Sequence, residues 1–216
     1  MPGDNEHPFT VVLSPMPRYA RLPVALLRTL LSCLLLPASL ALAHPHVWIA
    51  YTASIQMNGT SIVAIDEHWR FTEGFPTQLV GIDQLPERGL LDAAQTKRFR
   101  DQAFASLAHA SYFTHLFADG SPQAFGEPTG FQVSVEGGKI AYSFRLPLAA
   151  PVDIHGKNVE LGVWDPSYYV DYEADSDHAV SIGQGAPQTC SIRSFVDKSH
   201  PIFNGFVLPH ASAIAC

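Results

Sequence analysis

If the chain is cut after Ala43, its new α-amine, the His44 imidazole and the His46 imidazole fall within three residues, so three nitrogen donors stand together. The amine and His44 Nδ1 can close a chelate ring on one metal ion. Residues i and i+2 of an extended backbone point to the same side, which brings His46 to that ion. Pro45 favours this extended geometry and disfavours a helical turn. It also excludes the square-planar amino-terminal copper or nickel site, which needs a deprotonated amide at the second residue. A carboxylate joins the set through a hairpin. Val47–Met57 and Ser61–Phe71 are rich in Val, Ile, Thr, Trp and Tyr and flank Asn58-Gly59, the preferred pair of a two-residue type I′ turn. That turn places His46 opposite Phe71 and His44 opposite Glu73, with Trp48 and Trp69 flanking the site on one face. Amine, imidazole and carboxylate are borderline donors that suit Zn, Ni, Co or Cu(II), not Mg or Ca.

Other residues offer less. Asp165, in Trp164-Asp165-Pro166-Ser167-Tyr168-Tyr169, is a candidate ligand or acid, although Asp before Pro is also a common turn opener. Asp66, Glu67 and His68 are neighbours on a strand, so they face alternate sides and do not form one cluster. His68 is read as a surface or hydrogen-bonded side chain, and His109, His115, His155, His178, His200 and His210 are scattered without ligand spacing. No G-x-S-x-G, H-E-x-x-H, Walker or dinucleotide fingerprint occurs, and no enzymatic activity is expected.

The elements that must position these residues are legible in outline. Arg18, Arg21 and Arg28, the apolar stretch from Thr29 to Leu42 and the Ala41-Leu42-Ala43 site read as a secretory signal peptide over residues 1–43. Residues 44–216 then form a single exported domain. Cys33 leaves with the leader, so Cys190 and Cys216 remain as an even pair, and a structural disulfide between them is expected. The balance of 13 Lys and Arg against 20 Asp and Glu lacks the basic footprint that nucleic acid requires. Seventeen Pro and 15 Gly punctuate short β-like runs: Tyr112–Ala118, Gly130–Glu136, Lys139–Leu148, Asn158–Trp164, Tyr168–Glu173, Ala179–Gly183 and Thr189–Val196. Glu73–Leu90 reads as a surface connection. Asp92 is a fair N-cap for one helix running to about Ala110. The fold class is mainly β (α+β), an antiparallel β-sandwich or barrel-like sheet with one inserted helix.

His44-Pro45-His46-Val47-Trp48-Ile49, Trp69-Arg70-Phe71-Thr72-Glu73, Tyr112-Phe113-Thr114 with Asp119-Gly120, Leu146-Pro147-Leu148 with Pro151, Asp165-Pro166-Ser167-Tyr168-Tyr169, Cys190 and Cys216 resemble, in that order, the domain of unknown function 1007 family. The resemblance covers nearly all of the exported part. Members are described as periplasmic components of ABC-type transport systems and accompany NicO-type nickel/cobalt permeases. The resemblance thus implies a periplasmic accessory that binds a divalent transition metal, nickel or cobalt before zinc or copper, for an inner-membrane metal permease or ABC-type transporter. It points to His44, His46, Glu73 and Asp165. Many relatives carry a D-x-D-x-D-G loop, whereas Asp83, Glu87 and Asp92 lack that spacing, and calcium is not expected. Two other readings compete: a β module that binds another protein without specific metal, and a copper histidine-brace-like enzyme.

Overall fold

A computed structural model describes residues 45–75, 80–82, 85–183 and 185–216. The expected signal peptide, its cleavage site and His44 lie outside the described residues.

Alternating polar and apolar residues build the longest hairpin. Strand β1 (Val47–Asn58) buries Ile49, Tyr51, Ala53, Ile55 and Met57, and β2 (Ser61–Glu73) buries Ile65, Glu67, Trp69 and Phe71 on the same inner face. Its register differs from the expected one. The turn is Gly59-Thr60, with Gly59 at φ +61°, so Asn58 rather than Met57 opens it and pairs with Ser61. Irregularities at Gln56/Met57 and Trp48/Ile49 then shift the ladder further, until Glu73 faces Trp48 and Trp69 faces Tyr51. Glu73 is therefore not opposite position 44. Trp69 is fully buried in the core, whereas Trp48 is half-buried, so the two do not form a common wall.

The remaining strands are β3 (Gly89–Leu90), β4 (Thr114–Ala118), β5 (Ser121–Pro122), β6 (Thr129–Glu136), β7 (Lys139–Asp153), β8 (Val159–Val163), β9 (Val170–Ala174), β10 (Val180–Ile182), β11 (Ser191–Val196) and β12 (His210–Ala215). One sheet runs β10-β1-β2-β7-β6-β3, and the short β9 also pairs with β1; the other runs β11-β12-β8-β4-β5. The expected mainly-β class with one inserted helix holds, as an open sandwich and not a closed barrel. Its ladders are antiparallel except on the outer edge of β1. There β9 (at Val47–Tyr51) and β10 (at Ala53–Ile55) dock parallel, end to end, and cover an edge that would otherwise invite another chain.

Helix α1 (Ala93–Phe99) starts where expected. Asp92 accepts from the Gln95 backbone N–H at 2.8 Å, and the Asp92 N–H donates to Gln95 Oε1 at 3.3 Å, a reciprocal capping box. It does not continue as one α-helix to Ala110. A wider π turn (Arg100–Phe104) and 3₁₀ turns (Ala105–Phe113) follow, ending at Ser111, Tyr112 and Phe113 with φ of 50–54°. Widening brings Phe99 and Phe104, five apart, onto the same face, and both are buried among Trp69, Tyr142 and Phe144. The Glu73–Leu90 connection is anchored rather than merely superficial, since Val80 and Ile82 are buried in this core. A second core of Ile55, Ile62, Ile65, Leu116, Leu161 and Ile214 fills the space between the sheets.

The expected disulfide is present. Cys190 and Cys216 lie one step beyond the Ser191–Ala215 pair and lock the open end of the β11–β12 ladder.

Candidate metal centre

The outer face of the second sheet carries a ligand group of mixed chemistry. Glu160 projects from β8 between Phe117 of β4 and Ala213 of β12. Asp197 follows β11, its backbone N–H held by the Pro209 carbonyl at 2.8 Å, and His200 stands three residues on. One ligand atom from each of Glu160, Asp197 and His200 lies within 4.8 Å of the others, and this is the one such group of three among the described residues. Asp197 is 1% exposed, too deep for a carboxylate unless it is held. It is: Oδ1 accepts from the Ser199 and His200 backbone N–H groups at 2.7 and 3.2 Å, and Oδ2 accepts from His200 Nδ1 at 2.7 Å. A carboxylate oxygen and an imidazole nitrogen bound to one tetrahedral metal at about 2.0–2.2 Å each sit about 3.3–3.6 Å apart, so an ion that replaces the shared proton would open this pair by somewhat under 1 Å.

The His200 ring is fixed by stacking. It lies 4.2 Å from the Phe117 ring at 15°, and Phe117 and Trp164 are also stacked. Trp164 in turn stacks on His115 at 4.3 Å and 10°. His115 Nε2 donates to the Trp164 carbonyl at 3.0 Å, and its pKa is lowered mainly by burial, partly offset by that bond and helped by His200. Gly162 makes the column possible, because a Cβ there would meet the Trp164 ring at 1.9 Å. The column is therefore a built apolar wall behind the ligands.

The residues singled out from sequence fall at a different corner. The His46 and Val47 N–H groups donate to the Tyr169 carbonyl at 2.9 and 3.3 Å, and the His46 ring lies 4.8 Å from that of Tyr169. Gly74 lies against the His46 carbonyl so closely that a Cβ would approach it to 2.1 Å; with φ +82° the position suits glycine alone, and it seats Glu73 at the same corner. Asp165, 5% exposed, is spent on its own turn. It accepts from the Ser167 N–H and hydroxyl at 2.8 Å and from the Val170 N–H at 3.1 Å. Ser167 Oγ in turn accepts from the Tyr169 N–H at 3.3 Å. Asp165 thus positions the loop that holds His46, and across this loop Phe203 N–H reaches the Pro166 carbonyl at 3.0 Å, tying it to the His200 segment.

Glu160, Asp197 and His200 were missed from sequence as a group because Glu160 comes from β8 and the other two from the loop after β11. The readable part was Asp197-Lys198-Ser199-His200, an acid and an imidazole three apart; His200 is accordingly not without ligand spacing. Asp66, Glu67 and His68 do face alternate sides. Asp66 pairs with Arg145 through two bonds of 2.6 and 2.7 Å, and His68 meets Ser143 and Glu136 at 2.9 and 3.2 Å. Glu67 points inward, bonded by Trp69 Nε1 and Thr114 Oγ1 at 3.1 Å each.

The sequence profile of the family described as "Protein of unknown function (DUF1007)" matches residues 29–201. An uncharacterized protein of Haemophilus influenzae is 24% identical over 131 residues, which are 60% of this chain and 62% of that relative. With most of its length matched, the chain belongs to the DUF1007 family.

Proposed function

We propose that this family member is an exported accessory protein that binds a divalent transition metal, nickel or cobalt in the first place, and presents it to an inner-membrane permease or ABC-type transporter. The observation that carries the reading is the Glu160–Asp197–His200 group, one imidazole and two carboxylates against a stacked aromatic wall. This donor set fits borderline divalent ions, and three ligands leave a position open for water or a receiving group. The amine, His44 and His46, with Glu73 beside them, are proposed as a second donor set for capture. Export to the periplasm fits the basic and apolar leader and the Cys190–Cys216 bond, which persists in an oxidising compartment. Among the described residues no helix is long and apolar enough to cross a membrane.

A protein-binding role for the same region has its own support. Phe206, Tyr169 and Leu208 are 77%, 50% and 43% exposed, an unusual set of large apolar side chains around the metal-bearing loops. It suits the docking step of metal transfer.

Titration of the metal-free exported protein with Ni(II) or Co(II) tests the proposal. One ion should be lost on His200→Ala, and Glu160→Gln should weaken it about tenfold, with both variants folded by circular dichroism. Unchanged affinity in both would remove the site.

A further inference from the structure

We propose that the cavity between the two sheets, walled by Tyr51 and Tyr172, is a binding site for a linear organic polyammonium ion. This is separate from the metal reading. The cavity is about 510 Å³, within the range of small-molecule sites. Tyr51 of β1 and Tyr172 of β9 line it from the first sheet, Ser194 and Ser212 line it from the second, and the Asp165 turn joins them.

Three features select the ligand's charge and shape. The first is acidity: Asp165, Asp171, Glu173 and Asp177 line the cavity and no Lys or Arg does, so a cation is attracted and an anion repelled. The second is the aromatic walls, Tyr51, Trp164, Tyr168 and Tyr172. A hydrated metal ion has no use for them, whereas ring faces attract alkylammonium groups and cover methylene chains. The third is Tyr51. Its side chain lines the cavity at only 4% exposure, and among the described residues its hydroxyl has no hydrogen-bond partner. Among the described residues the one buried hydroxyl without a partner is that of Tyr142, so the Tyr51 hydroxyl is reached from the cavity and offers an entering N–H donor an acceptor. Burial, and then the nearby Glu67 carboxyl, holds the phenol in its neutral form. Acids both on the half-buried wall (Asp171) and at the exposed rim (Glu173, Asp177) call for more than one ammonium on a single chain.

Spermidine is the probe, titrated calorimetrically into the metal-free exported protein. Saturable one-to-one binding is expected, and triacetylspermidine, of the same shape but without charge, should not bind. Tyr51→Phe keeps the ring and the packing, and should weaken binding about tenfold; Asp171→Asn should weaken it severalfold. Glu160→Gln, in the metal group and away from the cavity lining, should leave it unchanged, which separates this site from that one. Absence of saturation, equal affinity in Tyr51→Phe, or complete displacement by Mg(II) at matched ionic strength would overturn the proposal.

Discussion

Glu67 shows how one buried acid marks the stability of the whole fold. Burial raises its pKa from 4.5 to about 7, against the opposing pull of the Trp69 and Thr114 hydrogen bonds. The folded chain keeps this proton up to about pH 7, whereas the unfolded chain releases it near 4.5. Between those values the unfolded state binds fewer protons, so stability falls as pH rises through the window, by up to about 3 kcal/mol. Glu67→Gln should flatten that slope and be the more stable protein at pH 8, read by urea unfolding at pH 5 and pH 8; an unchanged slope would show that Glu67 is charged in the fold. Gly162 makes a second, local test. Gly162→Ala has no room beneath Trp164, so it should displace the indole, quench or shift its fluorescence, and weaken metal binding without touching a ligand.

The elements differ in how far they could be read. Strands were legible because alternation and turn residues are local, and Asp92 was legible because a capping box spans four residues. Register was not, because the Gln56/Met57 and Trp48/Ile49 irregularities depend on what packs around them, and each moves every later pair. β12 went unread, its His210-Ala211-Ser212-Ala213 carrying little β-propensity; it is a strand because β8 and β11 flank it. The Glu160–Asp197–His200 group was not legible for the same reason, its members converging only when β8 and the loop after β11 are side by side. The Asp165 turn is the element that joins the two corners. Asp165→Ala leaves the Ser167 and Val170 N–H groups without their acceptor and should cost about 2 kcal/mol, with faster amide exchange at His46 and Val47. Opening the Cys190–Cys216 link by a double Ser substitution should cost about 3 kcal/mol, with the β11–β12 ladder the first to fray.

At the scale of the molecule, the described residues form an open two-sheet sandwich with one edge sealed by β9 and β10, a cavity between the sheets, and the Glu160–Asp197–His200 group on the outer face of the smaller sheet. Such a scaffold seats Glu160 on a rigid strand and carries Asp197 and His200 at the start of the loop 197–208, which also presents Phe206 and Leu208. The proposed export is tested at the terminus: N-terminal sequencing of periplasmic material should begin at His44, and a later or blocked start would remove the α-amine from the capture set. The central claim is that a divalent metal sits among Glu160, Asp197 and His200. Anomalous diffraction at the cobalt edge, on crystals of the exported protein grown with one equivalent of Co(II), tests it most directly. The account predicts a peak about 2.0–2.2 Å from His200 nitrogen and from the two carboxylates; a peak confined to His44 and His46, or none at this group, would contradict it.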